Sequence, residues 1–215
     1  MEQFDVQRLL LTLPGIIIGL TLHEFMHAYV AFKCGDDTAE ELGRISLNPL
    51  KHIDPIGFLF IIFAGFGWAK PVMFNDEKLR NPKRDTILIA LAGPLANVFI
   101  AVAMSLAFVG LLHFYPYTGS EVYKAVLNCM LYGIFINWGL FVFNMIPLPP
   151  LDGSHLLFSS IRHKPVLYNK IYRYGTYALF AILLIEGQTK IRLLPIGPIV
   201  DYLGVGVLRA MGYGM

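Results

Sequence analysis

Residues 21–28 read Thr-Leu-His-Glu-Phe-Met-His-Ala, and they lie inside residues 9–32, an apolar run whose only formal charge is Glu24. Such a run is long enough to cross the hydrocarbon core of a bilayer as one tilted helix. In a helix, His23 and His27 project from one face because they are four residues apart. The sequence therefore predicts a membrane helix that carries two neighbouring imidazoles.

The H-E-x-x-H pattern in this helix is typical of zinc hydrolases. Two neutral imidazoles can hold the ion and leave a position open for water, and Glu24 is near enough to take a proton from that water. The alternative is a pair of core histidines with a stray acid on a buried helix. That alternative is weaker, because an ionisable residue in a membrane segment is costly and usually has a function. We therefore predict a zinc site at His23 and His27, with Glu24 beside it.

The composition of the 215-residue chain indicates an integral membrane protein. Hydrophobic residues make up 56% and charged residues 15%, with a mean hydropathy of +0.59, whereas soluble domains carry about 25% charged residues. This composition predicts the lipid bilayer as a partner. The net charge of +2 and the lack of a basic run interleaved with aromatics argue against nucleic acid. Cys34 and Cys129 offer neither a disulfide framework nor paired metal-ligand spacing.

Two further apolar runs, residues 87–112 and 125–146, are long enough to be membrane spans. Residues 174–185 and 193–208 are shorter or interrupted by proline and aspartate. They could form one span, two spans, or a span and a surface helix.

The uncharged residues 55–69 are too few and too rich in glycine for a clear span. We expect them to be re-entrant or interfacial, with strand character at residues 58–63. The predicted fold class is an all-α polytopic membrane protein with about 4–6 membrane segments and a short re-entrant or β-hairpin-like segment.

Lysine and arginine are distributed unevenly along the chain. Residues 33–84 and 151–173 contain 8 and 4 of the 17. The positive-inside rule therefore predicts that both segments are cytoplasmic and that the N-terminus lies outside, in a multi-pass protein of the cell membrane.

A catalytic zinc normally has three protein ligands, so a third is needed. Asp152 follows Pro147-Leu148-Pro149-Pro150, which cannot continue the helix of the third span. Irregular backbone at membrane depth is tolerated only where it lines protein or a wet cavity. Asp152 is therefore favoured as a ligand, although it could also cap a helix over residues 153–161. The other candidates are His52, Asp54, His113, His155 and His163, and His113 falls on the wrong side of the membrane.

The sequence carries two motifs in order, His23-Glu24-x-x-His27 and Asn144-x-x-Pro147-x-x-x-Leu151-Asp152-Gly153. Together they resemble the site-2 protease family of intramembrane zinc metalloproteases. Residues 43–57, which include Gly-Arg-Ile-Ser-Leu-Asn-Pro-Leu and His52, and Gly93-Pro94-x-x-Asn97 add to the resemblance, which covers residues 20–155.

This resemblance implies one zinc ion per chain, held by His23, His27 and Asp152, with Glu24 as the general base. It also implies that Asn144 lies near the substrate or the oxyanion. The expected reaction is hydrolysis of a peptide bond in or near the transmembrane helix of a membrane-protein substrate. Residues 1–215 would form a single intramembrane metalloprotease domain, a minimal-core member without a PDZ or CBS domain.

Two further histidines and one other function class stay open. His52 could support the metal site from outside the ligand set or could be a solvated loop residue, and His155 is expected to face the surface. The alternative function is a multi-pass metal-ion transporter that uses His23, His27 and Asp152 as its transport site. A transporter would have no use for Glu24 as a base, and the two matching halves common in transporters are not visible in the sequence.

Overall fold

The computed structural model describes residues 6–64, 67–115, 119–161, 164–189 and 192–213. Within these residues the chain is helical, and β pairing is limited to one antiparallel bridge between Ile53 and Ala69. The helices are α1 (Val6–Lys33), α2 (Thr38–Glu41), α3 (Pro55–Ala64), α4 (Pro82–Phe114), α5 (Glu121–Asn144), α6 (Gly153–Phe158), α7 (Pro165–Gln188) and α8 (Ile196–Ala210). Short 3-10 turns lie at Pro49–Lys51, Asp76–Lys78 and Ser159–Ile161.

In the described part of the chain, α1, α4 and α5 are the three helices long and apolar enough to cross a membrane. They coincide with the three clearest spans in the sequence and confirm an all-α membrane protein with several spans. The helix α7 has the length of a span but contains Lys170, Arg173 and Glu186, and α8 has only 15 residues.

The three spans α1, α4 and α5 pack directly against one another, and α8 packs on α5. At the crossing of α1 and α5, a Cβ added to Gly15 would lie 2.6 Å from the Cα of Gly133. Glycine at both positions therefore lets the two backbones touch, as small residues commonly do between membrane helices. A buried apolar cluster stabilises the same bundle and consists of Ala101, Phe108, Ile134, Trp138 and Leu208.

The strand character predicted for residues 58–63 is wrong, because these residues belong to α3. A helix pairs all its backbone groups within itself, which an apolar segment at a membrane requires. Extended backbone instead follows at residues 67–75, where Ala69 pairs with Ile53 and the Lys70 N–H donates to the His52 carbonyl at 2.7 Å. This segment passes close to the middle of α1.

The turn between α5 and α6 brings Asp152 back to α1. The helix α5 ends at Asn144, and the Pro149-Pro150 peptide bond in the turn is cis. The predicted helix over 153–161 is present as α6 followed by the 3-10 turn Ser159–Ile161. Gly175 of α7 packs against Pro149, so the turn is covered from outside.

Candidate metal centre

Three side chains from two distant parts of the chain meet at one point. His23 and His27 lie on α1, and Asp152 comes from the turn before α6. The two Nε2 atoms are 3.0 Å apart, and Asp152 Oδ2 is 3.2 Å from that of His23 and 3.3 Å from that of His27. His23 and His27 are 5% and 8% exposed, so the cluster is shielded from solvent.

The hydrogen bonds on the far side of each imidazole decide which nitrogen carries the proton. His27 Nδ1 lies 2.7 Å from the main-chain oxygen of Ile89, which can only accept, so Nδ1 must donate. His23 Nδ1 lies 2.7 Å from Asn97 Oδ1, which can also only accept. A neutral imidazole has one N–H, so both Nε2 atoms present lone pairs to each other and to Asp152.

This arrangement fits a bound cation. Asp152 Oδ2 is buried and has no hydrogen-bond partner among the described residues. Three acceptor atoms that face one another without a proton between them would repel one another. A tetrahedral zinc with bonds of ~2.0–2.1 Å holds its ligand atoms roughly 3.3 Å apart, close to the three distances here. Two imidazoles and a carboxylate are also a ligand set that zinc favours.

Gly93 of α4 forms the wall behind the two imidazoles. A Cβ at this position would lie 2.3 Å from His27 Nε2 and 2.7 Å from His23 Nε2. No side chain larger than hydrogen therefore fits between α4 and the point where the ligand atoms converge. The space for an ion exists because residue 93 is glycine.

The alternative role of Asp152 as a helix cap has no support in the geometry. Asp152 occupies the N-cap position of α6, but its side chain makes no capping hydrogen bond there. Its carboxylate is turned to the histidines instead. By contrast, Asp54 Oδ1 accepts from the Gly57 N–H at 2.8 Å and thereby holds the start of α3.

Glu24 lies beside this cluster and contacts the extended segment 67–75. It is 8% exposed, and its Oε2 accepts from the Val72 N–H at 3.1 Å. Arg44 is also buried, and its guanidinium donates to the Lys70 carbonyl of the same segment. Burial lowers the pKa of Arg44, while the nearby Glu24 carboxylate raises it. Glu24 and Arg44 therefore both contact the segment 67–75, each with a largely buried side chain.

Of the described residues, none of the other sequence candidates belongs to the group of converging ligand atoms. His52 is fully buried, and its Nε2 donates to the Ser46 carbonyl at 2.6 Å, so it is not a solvated residue. Burial lowers the pKa of His52, and the bond to Ser46 opposes that shift. His113 lies in the last turn of α4, and His155 is half-buried with its ring 6.3 Å from that of Phe74. His163 lies outside the described residues.

Three residues at the site could not be assigned a role from the sequence. In the sequence, Gly93 and Asn97 only add to the family resemblance, and Asn137 has no assigned role. Asn97 and Asn137 are fully buried between the spans. The two asparagines could have been noticed because a buried amide at membrane depth is costly and needs a hydrogen-bond partner. The sequence does not show which residue that partner is.

Comparisons with known proteins agree with this geometry. The family description "Peptidase family M50" matches residues 11–118 and 108–186. Three similar proteins carry the name "Putative zinc metalloprotease". YwhC of Bacillus subtilis (strain 168) is 42% identical over 144 residues, 66% of this chain and 65% of the relative. Rip2 of Mycolicibacterium smegmatis is 30% identical over 149 residues, 67% of this chain and 54% of the relative.

MJ0611 of Methanocaldococcus jannaschii is 31% identical over 154 residues, 72% of this chain and 72% of the relative. The chain spans less than two thirds of the length of YwhC and of Rip2. No solved structure matches it. The family match runs across all three spans and the Asp152 turn, and it confirms the resemblance seen in the motifs: this chain belongs to peptidase family M50, the site-2 protease family.

Proposed function

We propose that this chain is a zinc-dependent intramembrane endopeptidase. It hydrolyses a peptide bond in or near the transmembrane helix of a membrane-protein substrate. The observation that carries this proposal is the convergence of three acceptor atoms, from His23, His27 and Asp152, beside the buried carboxylate of Glu24. Such a site costs stability in the metal-free protein, and metal-dependent chemistry accounts for that cost.

In this proposal His23, His27 and Asp152 hold one zinc ion per chain. When bound, zinc polarises the scissile carbonyl and lowers the pKa of a water in the site to about 7. Glu24 is not aligned with the ligand atoms but lies next to them on α1. It accepts the proton of the attacking water and delivers it to the leaving nitrogen. The H-E-x-x-H sequence thus supplies both ligands and base from one turn of helix.

We propose that the extended residues 67–75 hold the substrate backbone. A helical substrate must unwind before its peptide bond is accessible, and its extended backbone can then pair with an extended segment of the protease. The segment is held by the bridge from Ala69 to Ile53 and by the Arg44 contact to Lys70. Residues 55–64 form the helix α3, so this role falls to the extended residues that follow it.

Asn144 is proposed to contact the substrate or the oxyanion. It is half-buried at the end of α5, and its Nδ2 donates to the Leu140 carbonyl at 3.0 Å. An asparagine amide has two N–H donors, so one is available after that bond is made. His52 is proposed to support the site indirectly, because its carbonyl anchors Lys70 and hence the segment that contacts Glu24.

The transporter alternative is not favoured. The family is a peptidase family, and the similar proteins carry metalloprotease names. A transport site would also leave the buried carboxylate of Glu24 without a task, whereas hydrolysis requires a base at that place.

A substrate assay tests the proposed activity directly. The purified protein is incubated with a panel of single-span peptides, with and without a zinc chelator. We expect at least one peptide to be cut within or next to its apolar stretch, with cleavage abolished by the chelator and restored by added zinc. Cleavage that survives complete removal of zinc would contradict the proposal.

A labelling experiment tests the proposed orientation. Lys83 is exposed near the start of α4, in the segment that the charge distribution places in the cytoplasm. In a protein with Cys34 and Cys129 replaced by alanine, we expect Lys83→Cys to react with an impermeant thiol reagent only after the cytoplasmic face is opened. Glu121→Cys, at the opposite end of the bundle, should react in intact cells. The reverse pattern would invert the orientation.

A further inference from the structure

Asn137 lies in the middle of α5, is fully buried and makes hydrogen bonds to two main-chain oxygens. Its Nδ2 is 2.8 Å from the Gly133 oxygen and 3.3 Å from the Gly15 oxygen of α1. Both oxygens can only accept, so the nitrogen of the Asn137 amide must face them. The orientation of this side chain is therefore fixed by the backbone, and its oxygen points the other way.

The oxygen of Asn137 points at Asn97 on α4. Asn97 Nδ2 lies 3.0 Å from Asn137 Oδ1 and 3.2 Å from the Gly19 main-chain oxygen. These two acceptors use both N–H groups of Asn97. Its own oxygen is therefore turned to His23 Nδ1 at 2.7 Å, which compels that nitrogen to keep the proton.

The hydrogen bonds between Asn137 and Asn97 and between Asn97 and His23 prevent the Asn97 amide from taking the opposite orientation. If the Asn97 amide were rotated, its N–H groups would face His23 Nδ1, and His23 would have to carry its proton on Nε2. A protonated Nε2 has no lone pair for a metal. The rotated amide would also place its oxygen against the oxygens of Asn137 and Gly19, and this repulsion excludes the rotated state.

The two histidines of the site differ in the group that fixes the position of the imidazole proton. His27 is fixed by the Ile89 main-chain oxygen, which no substitution of a side chain removes. His23 is fixed by a side chain, Asn97, whose orientation depends on a second side chain, Asn137. The sensitivity of the site to substitution should therefore be concentrated at His23.

We propose that Asn137 is a positioning residue that sets the tautomer of His23 through Asn97 and thereby keeps its Nε2 available for metal. Asn137 itself contacts neither His23 nor Asp152 in the described hydrogen bonds. This inference rests on the proposed zinc site. It also links that site to the packing of the spans, because the chain of bonds joins α1, α4 and α5.

The test compares three variants for zinc affinity, measured by competition with a graded chelator in purified protein. Asn137→Leu removes the acceptor for Asn97 and should lower zinc affinity by roughly 10–100-fold, as is typical for outer partners of a ligand. Asn137→Asp should keep most of the affinity, because a buried carboxylic acid can donate to Gly133 and accept from Asn97. Ser105→Ala should not change the zinc affinity, because the buried Ser105 hydroxyl donates to the Ala101 oxygen of its own helix.

A second measurement separates this role from a general effect on packing. Nitrogen NMR of metal-free protein labelled with ¹⁵N-histidine, at alkaline pH, reports which nitrogen of His23 carries the proton. We expect Nδ1 in wild type and Ser105→Ala, and a population with protonated Nε2 in Asn137→Leu, with His27 unchanged. Protonated Nε2 in wild type, or unchanged zinc affinity in Asn137→Leu, would overturn the inference.

The same measurement distinguishes this inference from the proposed function. If wild type bound no zinc, the proposed function would fail, while the His23 tautomer of the metal-free protein would still report on Asn97 and Asn137. If wild type bound zinc and cleaved peptides but Asn137→Leu kept the wild-type tautomer, only the present inference would fail.

Discussion

Replacing Glu24 by glutamine is expected to abolish cleavage while leaving zinc in place. Glutamine has the shape of glutamate, and its oxygen can still accept the Val72 N–H that Glu24 accepts at 3.1 Å. It cannot take a proton from the attacking water, so the loss should reach the ~10²–10⁴ typical of a general base. The measurement is cleavage of a transmembrane reporter, together with zinc content and helix content, in wild type and Glu24→Gln.

A matched control separates loss of the base from loss of a charge. Glu121→Gln makes the same chemical change at an exposed position in the first turn of α5 and should cleave like wild type. Wild-type cleavage by zinc-loaded Glu24→Gln would rule out Glu24 as the base. A protein that transported ions instead would show only a moderate change in flux for the same substitution, because Glu24 is not among the three residues that converge.

The part of the site that the sequence predicts well is the part that is local. His23, Glu24 and His27 lie within five residues of one helix, and helix geometry alone places the two imidazoles together. Asp152 is distant in sequence, but it was identified because a carboxylate beside a run of prolines at membrane depth has few other uses. For the H-E-x-x-H helix and for Asp152, the sequence was informative because polar groups are costly in a membrane and are rarely present without a function.

The parts that could not be predicted depend on contacts between helices. Nothing in the sequence indicates that the oxygen of Ile89 would face His27 or that the missing side chain of Gly93 would leave space for an ion. The orientation of Asn97 depends on Asn137, 40 residues away. The wrong prediction of a strand at residues 58–63 also comes from missing tertiary contacts. A short run of aromatic and branched residues is compatible with a strand and with a helix when only the sequence is considered.

Replacing Asp152 by alanine is expected to remove zinc from the site. Asp152 Oδ2 is the atom that faces both Nε2 nitrogens, at 3.2 and 3.3 Å, and two imidazoles alone form an incomplete site. Zinc affinity should fall by more than the roughly 10–100-fold typical of a residue outside the ligand set. The measurement is zinc content after dialysis and the shift of the melting temperature on adding zinc, which binding to the folded protein produces.

The metal-free protein provides the internal control for this prediction. In the described part of the chain, Asp152 Oδ2 has no hydrogen-bond partner and faces two lone pairs, so its removal should not lower the melting temperature of the metal-free protein. Two exposed control positions are Asp201 on α8 and Lys51. Zinc should raise the melting temperature of wild type, Asp201→Ala and Lys51→Ala. It should not raise the melting temperature of Asp152→Ala. Wild-type zinc content in Asp152→Ala would remove Asp152 from the ligand set. A metal-free Asp152→Ala that melts well below wild type would instead assign this carboxylate a role in stability.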